Sequence, residues 1–148
     1  MANGIPVSWQ LLQAIQTQLQ TIVTPSYRTN IGASVVLELG QVLDTGNPSV
    51  SINLVSETRR ELSTQNRRRD CEVLIECLVA GTSEDAQREA HDALEDTLEI
   101  FPALERITLS GGATADVDWA EGRVLFRPDG ADAVVAQVTL RCTVNETL

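Results

Sequence analysis

Residues Asp70–Phe101 read DCEVLIECLVAGTSEDAQREAHDALEDTLEIF, which is a strand, a tight turn and a helix in succession. Side chains alternate along an extended chain. Cys71, Val73, Ile75, Cys77 and Val79 therefore fall on one side, and Glu72, Leu74, Glu76 and Leu78 on the other. Gly81-Thr82-Ser83-Glu84-Asp85 breaks the alternation and offers capping oxygens and negative charge to a helix N-terminus. From Ala86 the period becomes helical: Ala86, Ala90, Ala93, Leu94, Thr97, Leu98 and Phe101 form one narrow stripe. The opposite surface, with Glu89, Asp92, Glu95, Asp96 and Glu99, is acidic and reads as solvated. Pro102 ends the helix, because the residue before a proline resists the α region. A strand and a helix with one dry face each need a sheet to lie on, so the segment reads as architecture.

Outward from this segment, towards the N-terminus, Ile5 to Val23 carries Leu12, Ile15, Leu19 and Ile22 at helical spacing, with Ser8 as a cap and Pro25 as the stop. Tyr27 and Arg28 follow in a polar loop, Tyr27-Arg28-Thr29-Asn30-Ile31-Gly32, which is expected to be exposed or at a contact surface. Ala33 to Leu39 alternates as a strand, Gly40 to Pro48 reads as a loop, and Ser49 to Val55 as a second strand. From Ser56 to Arg69 the only large apolar residue is Leu62, so this run is expected to be a polar hairpin arm. On the C-terminal side, Leu104 to Leu109 is a short strand closed by Gly111-Gly112. Glu121-Gly122 is a hairpin signal between Ala115–Ala120 and Arg123–Arg127. After a turn at Pro128-Asp129-Gly130, Ala133 to Val144 alternates as a long antiparallel strand with one wet face. The order predicts an α+β fold: a mostly antiparallel sheet, two helices packed on one face, and a protruding hairpin arm over about 56–69.

At 148 residues the chain suits a single domain over 1–148, and its 43% hydrophobic content permits a real core. A domain of this size buries roughly 68–70% of its unfolded surface. No apolar run approaches the ~20 residues of a membrane span, and the start lacks the pattern of a secretion signal. Cys71, Cys77 and Cys142 lie in strand-like runs and are expected to be buried, reduced thiols of a cytosolic protein. With 21 acidic residues against 11 arginines and no lysine, the net charge of −10 disfavours general nucleic-acid binding. Five arginines nevertheless crowd together, Arg59, Arg60, Arg67, Arg68 and Arg69. A basic knot on an acidic body favours contact between copies or with an acidic partner.

No set of residues nominates a reaction, and the chain is expected not to be an enzyme and to need no cofactor or metal. The single histidine, His91, has no nucleophile or orienting partner in view and reads as solvated or at an interface. The cysteine spacing is not that of a zinc site, and one histidine cannot complete a common set. Glu72 and Glu76 with Asp116 and Asp118 could imitate acid pairs, but carboxylates on wet strand faces are commoner. Gly111-Gly112 is a turn, too short for a phosphate loop. The arginine knot has three readings. It is a solvated tip, or an arm onto a neighbour's acidic helix face at Glu89 to Glu99, or a contact for phosphates in a central opening. Arginine's planar fork suits the second, and the overall charge disfavours the third.

The layout resembles the tail terminator proteins of long-tailed phages, the group that includes the minor tail protein U of phage lambda. The likeness spans nearly the whole chain and rests on element order. Leu11-Leu12 and Ile15 lie on a first helix, followed by Ile31-Gly32, and a polar arm leads into Cys71-Glu72-Val73-Leu74-Ile75-Glu76. Ala86, Ala90, His91 and Leu94 then come on a helix, with Ala133 to Val144 closing the chain. The resemblance implies a structural virion protein at the head-proximal end of the tail, assembled in the host cytoplasm. It would form a ring, usually of six copies around a channel, that caps the tail tube and ends its polymerisation. Its partners would be other copies of itself, the tube protein, a head-completion or neck protein, and passing DNA in the channel. Arg59, Arg60, Arg67, Arg68 and Arg69, with Tyr27 and Arg28, are the candidate contact residues. The alternatives are a neck or head-completion protein and, from another class, a small α+β enzyme or ligand-binding domain.

Overall fold

In a computed structural model, which describes residues 4–37, 48–101, 105–127 and 132–147, the run after Asn66 becomes a central strand of one six-stranded sheet. In chain order the elements are α1 (Val7–Leu19), β1 (Val35–Val36), β2 (Ser49–Glu61), β3 (Asn66–Ala80), α2 (Glu84–Ile100), β4 (Glu105–Thr108), β5 (Thr114–Arg127) and β6 (Ala133–Thr147). The strands lie in the order β1-β2-β3-β6-β5-β4. Every pairing is antiparallel except β1 with β2, which is parallel. The expected α+β class is what forms. The dry face of β3, Cys71 to Val79, meets Leu11, Ile15 and Leu19 of α1 and Ala86, Ala90 and Ala93 of α2 in a single buried cluster. Each fully buried aliphatic side chain there contributes about 1.5–3 kcal/mol relative to exposure. Alanines on α2 let its axis lie close to the sheet.

The helix boundaries follow their caps. Ser83 accepts the Ala86 N–H at 3.1 Å through its hydroxyl, and Glu84 and Asp85 supply charge in the first turn of α2. Helix α1 is shorter than Ile5–Val23. The Pro6 carbonyl takes the first helical bond, from Gln10 N–H at 3.0 Å, so Ser8 lies inside the helix and does not cap it. After Leu19 the chain tightens, with Ile22 N–H donating to the Leu19 carbonyl at 3.0 Å. Gly32 then seats on this helix end and donates to the Ile22 carbonyl at 2.9 Å. That docking winds Ile31–Ser34 into a 3-10 turn, so the strand expected over Ala33–Leu39 is reduced to Val35–Val36, with Glu38 and Leu39 outside the described residues. The loops read at Gly40–Pro48 and Pro128-Asp129-Gly130 lie outside the described residues except for Pro48.

Two further expectations are corrected. Glu121-Gly122 is not a hairpin turn: β5 runs unbroken from Thr114 to Arg127 against β6, with a bulge at Ala120. The glycine is there for room, because a Cβ on Gly122 would stand 2.6 Å from Trp119 Cη2 and 2.9 Å from Leu94 Cδ1. The polar run 56–69 is not a separate arm either. It continues β2 and β3, the turn is confined to 62–65, and β6 backs β3 as far as Asn66 opposite Thr147. At the turn the Ser63 hydroxyl accepts the N–H groups of Gln65 and Asn66 at 3.2 and 3.1 Å.

A second bulge, at Val55 in β2, flanks the same row as the first: Leu54, Val73, Leu140 and Trp119 lie side by side, with Val55 beyond one end and Ala120 beyond the other. Bulges increase local twist and re-aim side chains. Here the bulge at Val55 inverts the alternation, so Glu57, Arg59 and Glu61 join the helix-side face in place of Ser56, Thr58 and Arg60.

Candidate interaction surface

The helix-side face of β2, β3 and β6 changes chemistry towards the 62–65 turn. Cys71, Cys142 and Val144 are its last apolar residues, and Glu57, Arg59, Glu61, Arg67, Arg69 and Glu146 continue it. Arg69 is buried, with 8% of its surface exposed. Its Nε and Nη2 donate to the two carboxylate oxygens of Glu146 at 3.0 and 3.1 Å, and its Nη1 donates to Glu57 at 2.9 Å. Burial alone would lower the Arg69 guanidinium, but the hydrogen bonds to Glu146 and Glu57 outweigh it and leave it raised. Arg67 donates to Glu61 at 2.8 Å and lies 4.0 Å from Glu146, while Arg59 lies 3.5 Å from Glu57. Forked contacts of this kind fix geometry as well as charge. Three guanidinium groups and three carboxylates thus hold the sheet end as a rigid, locally neutral layer.

On the opposite face Arg68 pairs with Asp70 at 3.1 Å, and Arg60 has no hydrogen bond or ion pair among the described residues. Of the five candidate arginines, Arg69 is enclosed, Arg67 and Arg68 are engaged within the chain, and Arg59 and Arg60 are the most outward. The bulge at Val55 explains why Glu57 and Glu61 escaped sequence reasoning, since simple alternation puts them on the other face; Glu146 lies on β6 two residues past Val144, where the apolar alternation ends. Only the Glu61–Arg67 pair had a signal, since a turn centred on Thr64 sets those two opposite each other.

Tyr27 and Arg28 stand apart from this layer. Tyr27 is half-buried against the core. Arg28 Nη1 donates to Asp96 at 2.9 Å and to Glu99 at 2.7 Å. Hydrogen bonding, first to Glu99 and then to Asp96, raises the Arg28 guanidinium above its ordinary value. Asp96, read as part of the solvated acidic face, is completely buried and accepts the Thr29 N–H at 2.9 Å, the Thr29 hydroxyl at 2.8 Å and the Arg28 N–H at 3.2 Å. It anchors the polar loop onto α2. Among the described residues Arg28 shares no carboxylate partner with the arginines of 59–69.

The chemistry of the remaining candidates is quiet. All three cysteines are free and buried, and burial pushes the Cys71 thiol up to about 11 and those of Cys77 and Cys142 up to about 12. Thiols held neutral are poor nucleophiles and metal ligands. The hydrogen bond that Arg106 donates to Asp116 at 2.8 Å lowers its carboxyl below the ordinary value. A hollow of about 550 Å³ opens between the start of α1, the 62–65 turn and Gly111-Gly112. Several of its polar groups are engaged within the chain: Gln10 accepts the Gly111 N–H at 2.9 Å and donates to the Ile5 carbonyl at 2.8 Å, and Arg67 holds Glu61. Among the described residues no group of three His, Cys, Asp or Glu side chains could hold a metal ion, and no helix is long and apolar enough to cross a membrane. No protein-family model matches the chain, and no curated protein matches it.

Proposed function

We propose that the chain is a ring-forming structural subunit that caps the tail tube of a long-tailed phage, ends tube polymerisation and presents its other face to a head-completion protein. The observation that carries this reading is the ion-paired sheet end. Arg67 and Arg69 with Glu57, Glu61 and Glu146 stiffen a surface instead of converging on an empty site. The order of a first helix, a strand after a polar run, a second helix and a long last strand, on which the tail terminator resemblance rests, supports the same reading. The mechanism is binding alone. A heterologous contact repeated with rotational closure gives a ring with two different faces. One face matches the growing end of the tube and the other does not, so addition stops. Its place is the head-proximal end of the tail, and its partners are further copies, the tube protein and the neck.

The test is to add the purified protein, over a range of concentrations, to tube protein that is polymerising, and to measure tube length and end labelling by electron microscopy. The reading predicts shorter tubes carrying a ring at one end only. Tubes that grow unchanged and carry no label would overturn it. Binding to the portal side in place of the tube end would favour the neck protein.

A further inference from the structure

The two margins of the sheet are only partly covered. Among the described residues β1 pairs with Val50 and Ser51 of β2 alone, and β4 with 114–117 of β5 alone. The outer side of β2 from Ile52 to Glu61, and of β5 from Asp118 to Arg127, therefore has no partner strand among the described residues. Val55, Arg59, Arg60, Glu121 and Phe126 on these stretches are exposed. Such rows of unpaired N–H and C=O groups are templates for another strand.

We propose that these edges pair with each other between copies, the free stretch of β2 in one subunit lying antiparallel to the free stretch of β5 in the next; this rests on the ring reading. Three observations select a second copy as the occupant. The first is direction. Three antiparallel steps separate β2 from β5, so the two run oppositely within a subunit. A rotation about an axis roughly along the strands preserves that, and the neighbour's β5 arrives antiparallel to β2. The second is stagger. Strands in a closed ring of sheet tilt by about 35–45°. At about 4.8 Å per strand and about 3.3 Å per residue, the four strands from β2 to β5 that would repeat in each copy then need their edges offset by roughly 4–6 residues. Level rows set Arg60 beside Thr114, which β4 already covers. An offset of about six rows, at the upper end of that range, sets Arg60 beside Glu121 on the uncovered stretch, Ala120 being the bulge that the ladder skips.

The third observation is charge and facing. Arg60 and Glu121 lie on the same face of the sheet, the one away from the helices, and neither has an ion-pair partner among the described residues. The same register puts Thr58 beside Arg123, and Arg59 over Gly122, where there is no side chain to displace. Faces are kept throughout, as a continuous sheet requires. Bulges and charges also serve to blunt edges, but here the charges on the two edges are opposite in sign where they meet.

The experiment mixes two full-length proteins, one carrying Arg60→Cys and the other Glu121→Cys, under mild oxidation. The native cysteines are buried and serve as internal controls. A mixed disulfide dimer as the main product, absent when either protein is oxidised alone, is the expected result. The double variant should then give a ladder that closes at one mass. A ladder that grows without closing would support edge pairing and overturn the ring. Assembly by mass measurement without the mixed disulfide would overturn edge pairing and leave the ring standing. Neither assembly nor disulfide, with tube protein present, would overturn both. As an independent arm, Arg60→Glu should weaken self-association about tenfold and the added Glu121→Arg should restore it. Loss without restoration would overturn the pairing.

Discussion

Replacing Asp96 by alanine should be among the most damaging single changes in this protein, although the residue sits in what the sequence presents as an acidic, solvated helix face. The carboxylate is fully buried and accepts four hydrogen bonds, two from Thr29 and two from Arg28, at 2.8 to 3.2 Å. Bonds to a charged acceptor contribute about 1.5–3 kcal/mol each and are not additive. Removing one member of a buried charged group costs about 3–5 kcal/mol, chiefly through the partners left behind. Thr29 is buried and would keep an unpaired N–H, whereas Arg28 retains solvent and Glu99. The lower half of that range therefore applies, about 3–4 kcal/mol. In a domain of this size each kcal/mol moves Tm by roughly 4 °C, so Tm should fall by about 10–15 °C. Glu99→Gln is the control: it removes an exposed contact and should leave Tm within about 2 °C. Thermal unfolding by circular dichroism, with urea titration to check that the slope is unchanged, measures both. If the Asp96→Ala protein melted within about 3 °C of its parent, the anchoring of the loop by this carboxylate would be wrong.

Two other outcomes follow from close packing and from the thiols. A Cβ on Gly32 would stand 2.7 Å from the carbonyl oxygens of Leu19, Gln20 and Ile22, all backbone atoms that cannot swing aside. Gly32→Ala should destabilise by about 1–3 kcal/mol in urea titration, while Gly4→Ala, with nothing near it, should not. The thiols titrate at about 11 to 12 when folded, raised by burial above the ordinary 9.0. A raised folded value means that their contribution is fully present below about pH 9 and is lost as pH rises towards 11 to 12, because the unfolded chain ionises first. Stability should therefore fall across that window, and less steeply with all three cysteines replaced by alanine. Iodoacetamide at pH 8 should label the native protein far more slowly than the urea-unfolded chain. Rapid native labelling would show the thiols accessible.

Periodicity made the centre of the fold legible and left its margins obscure. β3 and α2 announce themselves because each keeps one clean period between strong punctuation, the Ser83 cap at one end of the helix and Pro102 beyond the other. β2 and β5 each change phase at a bulge, and a single extra residue such as Val55 or Ala120 has no compositional mark. The phase change misled twice. It made Glu121-Gly122 resemble a turn, and it hid Glu57 and Glu61 from Arg69 and Arg67, whereas Glu146 keeps the phase of β6 and lies just past Val144, where that strand is read to end. Asp96 was obscured for another reason, since its partners lie 67 and 68 residues away along the chain. Gly32 was visible as a residue, but its task depends on where the end of α1 lies. Long-range satisfaction of polar groups is a tertiary property, and one strand's pattern does not carry it.

The same register alters what the arginine knot means physically. Five arginines share the sheet end with Glu57, Glu61, Asp70 and Glu146, each of which is paired with at least one of them. Five cations against four anions leave a local excess of one, so little counterion would be released if phosphates were to bind there. Contact with passing DNA thus has a weak electrostatic basis at this end of the sheet. A contact with a neighbouring copy needs no large net charge. It needs a shape that stays fixed, which the buried Arg69 fork provides, and a single uncommitted guanidinium at an uncovered strand edge, which is Arg60.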